Sequence, residues 1–372
     1  MLFVCYISGH GFGHATRDLE VINHILKARR DVRIVIRSAV PQEFLERSVQ
    51  GPVDFQTCDT DTGVVQIDSL QLDEEETATR AADFYRTFEA RVKDEAHALK
   101  RLDATLVVGD VPPLAFAAAA RAGVPSIALA NFTWDWIYEA YPEFEALAPG
   151  VLKTIRAAYA TASVALRLPF SGGFNPMREV TRDVPLIARR SRRNRDDIRR
   201  LLNLVQPRPV VLASFGGHGA ALSFDDIAQQ NDLTIVLTDH EAADGVFNAT
   251  SDRLRRFTRA VLASAEIRYE DLVAVADVVV SKPGYGIVSE CIANQTALLY
   301  TSRGHFAEHD VLVAGMQRVL RCRFIAQEDL RAGRWGREIE ALLRQPEPAE
   351  QMEANGAAVV AEMILSLSRS SR

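Results

Sequence analysis

Cysteine is scarce in this sequence, and the spacing of its cysteines excludes two classes of site. Four cysteines occur in 372 residues, at positions 5, 58, 291 and 322, and no two of them form a CxxC pair. Zinc sites and disulfide frameworks need closely spaced cysteines, so neither is expected. Cys5 and Cys291 stand in apolar runs, which is typical of buried free thiols.

Long hydrophobic runs and a basic leader are also missing. No stretch approaches the roughly 20 apolar residues that cross a bilayer. The apolar N-terminal run ends at Ser8, which is too early for a signal peptide. No basic amphipathic helix with a large apolar face supports peripheral contact with a membrane. We therefore expect a cytoplasmic protein.

Positive charge is not in excess, and the composition is ordinary. The formal net charge is −6, which argues against a nucleic-acid partner. Hydrophobic residues make up 48% of the chain and charged residues 25%, as in a soluble globular protein. A chain of 372 residues is too long for one ordinary core, so two domains are expected.

The sequence does contain a repeated alternation of strand and helix patterns. LFVCYI, VRIVIRS, ATLVVGD and VPSIALA predict strands in the first half, and PVVLASF, LTIVLTD, DVVVS and TALLYT predict strands in the second. Helical segments separate them, such as PLAFAAAARAG with its terminal glycine. Strands that alternate with helices form parallel sheets. The predicted fold class is therefore α/β, with two Rossmann-like halves.

An arginine-rich segment divides the two halves. It covers residues 181–208, between a first domain at 1–180 and a second domain at 209–345. An anion-binding surface is one interpretation of this segment. A solvated linker followed by a polar helix is the other, and the density of charge favours it. The tail, residues 346–372, is predicted as a final helix.

A glycine-rich loop, SGHGFGHATR (8–17), follows the first strand. It does not fit the dinucleotide fingerprint GxGxxG, because His14 or Thr16 replaces the third glycine, depending on the register. His10 and His14 have the i, i+4 spacing of a metal-binding pair, but that spacing needs a helix, which the glycines disfavour. The triplet DTD at 59–61 is interpreted as loop polarity. Neither a metal nor a nicotinamide or flavin cofactor is expected.

A substrate-binding loop is the remaining interpretation of residues 8–17. Glycines let backbone amides turn toward a ligand, and the helix expected to begin near Ala15 points its positive end at the same place. His14 would lie at that helix start, where an imidazole that titrates near neutrality can act as a general base. A histidine that caps the helix or packs against it is the alternative.

Two loops of the second half have the same character. SFGGHG (214–219) and SKPGYGIVSE (281–290) each follow a predicted strand, and their glycines can bring amides to a phosphate. Glu290 lies about one turn into the next helix, where a carboxylate can accept both hydrogen bonds of a ribose diol. Each loop alone is a weak signal, but together they predict one nucleotide site.

Six segments, in this order, carry a resemblance to a known family. They are SGHGFGHATR, GDVPPLA, NFTWDWIY, VPLIARRSRR, SFGGHG, and SKPGYGIVSECIA with RGHFAEHDVLV. Over nearly the whole chain they resemble the GT-B nucleotide-sugar glycosyltransferases, and especially family 28-like proteins and the transferase-like N-terminal region of plant L-arabinokinases. The resemblance implies two Rossmann-like domains whose parallel sheets face a central cleft. It also implies a last helix that crosses back onto the first domain.

The resemblance assigns the acceptor to the first domain and the sugar nucleotide, a UDP-sugar, to the second. Glu290 would bind the ribose, and the segment RGHFAEHD would contact the donor sugar. Many relatives carry Gln or Asp-Gln where this chain has Glu308 and His309, which implies a different sugar. The donor-binding residues expected on this pattern are Gly216, Gly217, His218, Lys282, Gly284, Tyr285, Gly286, Glu290, His305, Glu308 and His309.

Glycosyl transfer needs a base for the acceptor proton and a site for the leaving phosphate. We assign His14 as the base, opposite the leaving group, which gives inversion at the anomeric carbon. Asp110 either orients that imidazole or caps the following helix. Trp134 either stacks on an acceptor or packs in an aromatic cluster. The expected acceptor-side residues are His10, Gly11, Gly13 and Trp134.

These expectations define one favoured function and two alternatives. The favoured function is an inverting, metal-independent glycosyltransferase of the hexosyltransferase type, which uses a nucleotide-sugar donor and a hydroxyl acceptor and needs no cofactor. A nucleotide-sugar 2-epimerase or hydrolase on the same fold is the first alternative. A non-catalytic nucleotide-sugar-binding protein is the second.

Overall fold

The chain forms two parallel β-sheets, one in each half of the sequence. The computed structural model describes residues 1–204, 207–215, 222–238 and 252–370. The first sheet has seven strands and the second has six. Among the described residues, no helix is both long enough and apolar enough to span a bilayer.

The first half contributes seven strands to its sheet and two to a separate hairpin. The strands are β1 (Leu2–Ile7), β2 (Arg33–Ser38), β3 (Asp54–Thr57), β4 (Val65–Gln66), β5 (Leu72–Asp73), β6 (Leu106–Gly109), β7 (Ser126–Ala130), β8 (Val164–Arg167) and β9 (Thr181–Asp183). The order in the sheet is β3-β2-β1-β6-β7-β8-β9, and β4 pairs with β5. The central strand β1 is buried over its whole length, which explains why LFVCYI is apolar throughout.

Helices flank this sheet. They are α1 (Phe12–Ala28), α2 (Gln42–Ser48), α3 (Glu74–Arg86), α4 (Phe88–Arg101), α5 (Pro113–Ala122), α6 (Trp134–Glu139), α7 (Phe144–Leu147) and α8 (Val151–Tyr159), followed by a 3-10 helix at Asn175–Val180. α1 begins at Phe12, earlier than the start expected near Ala15. The reason is Gly11, whose φ of 77° turns the chain directly into the helix and favours glycine.

The second half repeats the pattern. Its strands are β10 (Val210–Ser214), β11 (Thr234–Thr238), β12 (Leu254–Phe257), β13 (Val278–Ser281), β14 (Ala297–Tyr300) and β15 (Cys322–Phe324), in the order β12-β11-β10-β13-β14-β15. Its helices are α9 (Arg195–Leu201), α10 (Phe224–Gln230), α11 (Arg259–Ser264), α12 (Tyr269–Val275), α13 (Tyr285–Asn294), α14 (Glu308–Val319), α15 (Gln327–Arg331), α16 (Gly336–Leu343) and α17 (Gly356–Ser370).

The arginine-rich segment contains regular structure. Its first residues form β9, which pairs with β8 at the edge of the first sheet, and α9 lies further along. Arg195 donates to Asp277 at 2.6 Å, and Arg199 donates to the carbonyl oxygen of Val275 at 2.6 Å. These arginines therefore tie the segment to the second half of the chain.

One hydrophobic core extends through both halves. It contains Phe3 and Ile22 from the first half, Val279 and Leu298 from the second, and Ile364 from α17. α17 packs against α1, so the end of the chain returns to the first sheet. The two halves thus share buried apolar surface across their boundary.

The hairpin of β4 and β5 reaches from the first half into the second. We call residues 65–73 the interdomain hairpin. Leu70 at its turn is 3% exposed and belongs to the same apolar cluster as Phe215 of the second half. The hydroxyl of Ser69 donates to the carbonyl oxygen of Phe215 at 2.8 Å, and the backbone N–H of Gly304 donates to the carbonyl oxygen of Leu70 at 2.8 Å.

Candidate active site

A cleft of about 1160 Å³ lies between the two halves. The loop 9–13 and one side of α1 line it from the first half, and the starts of α12 and α13 line it from the second. Parallel strands direct the loops that follow them to one edge of the sheet, and ligands of doubly wound folds bind there. The cleft is therefore the place to look for a site.

Most of the residues predicted from the sequence line this cleft. They are His10, Gly11, Gly13, His14, Lys282, Gly284, Tyr285, Gly286, Glu290 and Glu308. The predicted residues Gly216, Gly217 and His218 lie outside the described part of the chain. His14 and Glu290 come from different halves and line the same cavity, so one extended ligand can contact both.

His14 lies in the first turn of α1, beside the carboxylate of Asp110. Nδ1 of His14 is 2.5 Å from Oδ2 of Asp110, and the His14 side chain is 9% exposed. Asp110 directly follows β6, and its backbone N–H donates to the carbonyl oxygen of Tyr6 at 3.0 Å. Neighbouring strands β1 and β6 thus bring the pair together. Because Nδ1 faces a carboxylate, Nε2 is the nitrogen that can exchange a proton with a substrate.

Arg17 is the second partner of Asp110. Its guanidinium contacts Oδ1 of Asp110 and donates to Oδ1 of Asn131 at 3.0 Å. Burial opposes ionisation of Asp110, but the charge of Arg17, and then that of His14, outweighs it and holds the pKa of Asp110 below its ordinary value. α5 has Pro112 as its N-cap and no side-chain cap, so Asp110 does not have the capping role considered above.

His10 has a different environment from His14. Its Nδ1 accepts a hydrogen bond from the backbone N–H of Val64 at 3.2 Å. A neutral imidazole whose Nδ1 accepts carries its proton on Nε2. His10 is therefore anchored by backbone, whereas His14 faces a charged group.

The structure corrects one acceptor-side prediction, Trp134. This side chain is 0% exposed and does not reach the cleft. Its ring stacks on Tyr138 with 5.5 Å between centroids, and its Nε1 donates to Oδ2 of Asp61 at 2.8 Å. Trp134 packs in an aromatic cluster because α6 turns it toward the core, which periodicity in so short a helix does not reveal.

Asp61 is a half-buried carboxylate near the site, and no sequence pattern signals its contacts. It is more than the loop polarity expected from the sequence, because it accepts hydrogen bonds from Ser8 at 3.1 Å and from Trp134. Burial raises the pKa of Asp61 to about 6, although these hydrogen bonds and the charge of His14 act in the opposite direction. Its partners are distant in sequence, so no local motif contains them.

Two residues predicted to contact the donor sugar lie outside the cleft. Nδ1 of His305 is 3.2 Å from Oε1 of Glu74, and this side chain is more than half exposed. His309 follows Glu308 in the first turn of α14 and does not line the cavity. Successive helical side chains point in different directions, so α14 presents Glu308 to the cleft and turns His309 away.

Glu308 lines the cleft, but neighbouring side chains already bind it. Its Oε1 accepts a hydrogen bond from Nδ2 of Asn131 at 2.7 Å, and its Oε2 lies 3.5 Å from Nη1 of Arg303. Asn131 also binds Arg17, so a chain of polar contacts links the two halves. Glu308 thus joins the halves instead of projecting freely into the cavity.

Lys282 follows the apolar part of β13 and lines the cleft. Its Nζ donates to Oε1 of Gln66, on the interdomain hairpin, at 3.2 Å. Burial, and then the charge of Arg303, lower the pKa of Lys282 to about 7. An anion beside Lys282 would favour its charged form.

Glu290 binds an arginine from the segment between the halves. Nε of Arg189 donates to Oε1 of Glu290 at 2.6 Å, and Nη1 lies 3.6 Å from Oε2 of Glu270. The Arg189 guanidinium also lies 5.6 Å from the ring centroid of Tyr269. Arg189 therefore lines the cleft. The one local signal of this position in the sequence is the density of arginine in residues 181–208.

The starts of α1 and α13 face each other across the cleft. A Cβ on Gly286 would lie 3.5 Å from Cα of Gly13, so the two backbones approach closely. Helix starts present unpaired N–H groups and the positive end of the helix dipole, and both attract anions. Among the described residues, no group of three or more His, Cys, Asp or Glu side chains is placed to hold a metal ion.

Solved structures share this arrangement of two sheets around a cleft. The glycosyltransferase VinC, in complex with dTDP, matches with a TM-score of 0.59 and 14% identity, over 100% of this chain and 99% of VinC. The chain has the GT-B fold. A putative UDP-N-acetylglucosamine 2-epimerase from Listeria monocytogenes also matches, with a TM-score of 0.58 and 9% identity, over 100% of this chain and 96% of that one. At these identities the likeness establishes the GT-B fold alone.

A curated relative matches in sequence. The L-arabinokinase of Arabidopsis thaliana is 28% identical over an alignment of 381 positions. The alignment covers 98% of this chain and 34% of that protein. The chain thus spans about a third of the length of the curated relative it matches. No family model matches the chain. The predicted resemblance to GT-B glycosyltransferases and to L-arabinokinases is confirmed.

Proposed function

We propose that the protein transfers a sugar from a nucleotide diphosphate sugar to a hydroxyl acceptor, with inversion and without a metal ion. One observation carries the proposal. His14, backed by the buried Asp110, lines one cleft together with the start of α13 and Lys282 of the second half. The first can take a proton, and the second can hold an anion.

His14 serves as the general base. As the acceptor oxygen bonds to the anomeric carbon, its proton passes to Nε2 of His14. Asp110 then faces an imidazolium and stabilises it, as the carboxylate of a catalytic triad does. Arg17 keeps Asp110 ionised, because its charge lowers the pKa of that carboxyl.

The start of α13 receives the leaving group. The bond between the anomeric carbon and the β-phosphate oxygen breaks, and the nucleoside diphosphate departs with the electron pair. The N–H groups at Tyr285 and Gly286, with the ammonium of Lys282, neutralise that charge in place of a metal. Glu290, oriented by Arg189, accepts hydrogen bonds from the ribose.

The position of the two walls supports inversion. His14 belongs to the first half and α13 to the second, so a sugar bound between them would have the base and the leaving group on opposite sides. Attack and departure then occur on opposite faces of the anomeric carbon, in a single displacement. A UDP-sugar is the proposed donor, on the basis of the sequence resemblance.

The 2-epimerase alternative is less well supported. Such a reaction needs further carboxylates at the sugar, and the sequence candidate for this role is Glu308, which lines the cleft. Both of its oxygens face other side chains, Asn131 and Arg303. This arrangement favours transfer, although an epimerase shares the GT-B fold.

Binding and product analysis test the proposal. We expect a UDP-, GDP- or dTDP-sugar to raise the melting temperature of the protein, because binding to the native state stabilises it. NMR of the bound donor should then show slow hydrolysis with inverted configuration, and EDTA should leave the rate unchanged. A released C2 epimer would support the alternative, and loss of turnover with EDTA would contradict the metal-free mechanism.

A further inference from the structure

On the proposed function, the transferred sugar lies between His14, which marks the side of attack, and Lys282, which marks the side of departure. We call this region the inner part of the cleft, and the inference rests on the proposed function. A row of contacts runs through it from His14 to Arg303. The ring of His14 is 5.5 Å from that of Phe132, which is 5.8 Å from that of Phe306, and the Arg303 guanidinium lies 4.0 Å from the Phe306 ring centroid.

Two polar side chains in the inner part, Asn131 and Glu308, already contact neighbouring side chains. Asn131 uses its carbonyl oxygen for Arg17 and its amide nitrogen for Glu308. Glu308 uses one oxygen for Asn131 and places the other beside Arg303. These contacts fix both side chains, so each can add a bond to a sugar hydroxyl only in the orientation that its neighbours impose.

Gln66 and Arg303 retain hydrogen-bonding groups. Gln66 accepts from Lys282 through Oε1, and among the described residues its amide nitrogen has no hydrogen-bond partner. Arg303 donates Nη1 to the carbonyl oxygen of Pro283 at 3.1 Å, which leaves Nη2 and Nε as further donors of the planar fork. Both residues line the cleft.

We propose that Gln66 and Arg303 recognise the donor sugar through its hydroxyl groups, and that this sugar is neutral. Charge supports the second part. Glu308 counters Arg303 at 3.5 Å, and Lys282 is assigned to the diphosphate, so neither of these two cations is left for a sugar carboxylate. A uronic acid would therefore add an uncompensated negative charge beside Glu308.

The interdomain hairpin makes Gln66 suitable for recognition. Leu70 packs in the apolar cluster of the second half, and Ser69 donates to Phe215, so the middle of the turn is held against the second half. A side chain on an anchored element loses less freedom on binding a ligand. The first half would thus contribute directly to donor recognition.

Calorimetry with UDP, UDP-glucose and UDP-glucuronate tests this inference. The variants are Gln66→Ala and, on the same hairpin, the exposed control Gln71→Ala. We expect Gln66→Ala to weaken the affinity for UDP-glucose by about fivefold, the effect of losing one hydrogen bond. The affinity for UDP should stay within about twofold of the wild-type value. Gln71→Ala should change neither affinity, and the wild type should bind UDP-glucose more tightly than UDP-glucuronate. Thermal unfolding of each variant checks that the fold is retained.

Arg303→Lys is the second variant, because it keeps the charge and removes the planar fork. We expect it to weaken the affinity for UDP-glucose by about fivefold or more and to change the affinity for UDP little. Equal losses for UDP and UDP-glucose in both variants would overturn the assignment, since they would indicate a phosphate or structural role. Tighter binding of UDP-glucuronate than of UDP-glucose would overturn the proposal that the sugar is neutral.

The failure of this inference is distinguishable from the failure of the proposed function. A wild-type protein that binds no nucleoside diphosphate and no nucleotide sugar contradicts both. A wild-type protein that binds UDP and hydrolyses UDP-glucose, with both variants unchanged, contradicts the sugar assignment alone.

Discussion

Nδ1 of His14 lies 2.5 Å from Oδ2 of Asp110, while Arg17 contacts the other oxygen of the same carboxylate. The carboxylate is fully buried, so its charge is offset by Arg17 and not by water. Its position is fixed by Arg17 on one oxygen and by the imidazole on the other. The arrangement therefore holds the imidazole in one orientation, which a general base needs.

Replacing His14 by Ala should remove turnover and preserve donor binding. The base contributes about 10²–10⁴-fold to the rate, whereas the nucleotide is held mainly by the second half. Donor hydrolysis and calorimetric affinity measure the two effects separately. His24→Ala, also on α1 but outside the cleft, is the matched control. Unchanged turnover in His14→Ala would show that another group is the base.

Replacing Asp110 by Asn should lower both turnover and stability. The buried Arg17 would lose the closer of its two carboxylate partners and keep Asp18 at 3.5 Å, which costs up to about 3–5 kcal/mol of unfolding free energy. Urea unfolding measures this loss. The double variant Arg17→Met, Asp110→Asn should recover part of the stability, because it removes the buried cation, but not the turnover, because no carboxylate then faces the imidazole. Recovery of turnover would contradict the orienting role of Asp110.

Nucleotide affinity should depend on pH through Lys282. Its pKa in the free protein is about 7, and a bound diphosphate raises it, so above pH 7 binding must take up a proton. The affinity for UDP should therefore fall by up to about tenfold for each pH unit above 7 and level off below it. Calorimetry in buffers of different ionisation enthalpy measures the proton uptake.

Lys282→Arg is the control for this pH dependence. Arginine keeps its charge throughout the accessible range, so the affinity of this variant should not fall between pH 7 and 9. The same slope in wild type and variant would assign the titration to a different group.

Replacing Leu70 by Ala should destabilise the protein by about 2–5 kcal/mol, as for other buried leucines. Leu70 is 3% exposed and inserted into the second half, whereas Ile67 of the same hairpin is 63% exposed. Ile67→Ala should therefore change the free energy of unfolding by less than about 0.5 kcal/mol. Chemical denaturation of both variants makes the comparison. Equal effects would show that the hairpin is not anchored through Leu70.

Several features of the fold and site could be predicted because they are local in the sequence. The apolar run of β1, the glycines of the loop 8–17 and the glycines at the start of α13 each signal their structure without distant partners. The central cleft that both His14 and Glu290 line is predicted by the family resemblance and not by a local pattern.

Other features depend on contacts that no local pattern contains. Asp61 accepts hydrogen bonds from partners that lie 53 and 73 positions away, Ser8 and Trp134. Arg189 meets Glu290 over a separation of 101 positions. The direction of a side chain at the start of a helix is not evident from the sequence either. For this reason the predictions for Trp134 and His309 differ from the structure.

The shared core has a consequence for how the chain folds. Ile22 and Val279 belong to one apolar cluster, which Ile364 completes from α17. Helices of both halves, α1 and α13 among them, bury part of their surface in this shared core, so an excised half would expose a broad apolar face to water. We therefore expect the two Rossmann-like halves, separate in topology, to depend on each other for their stability.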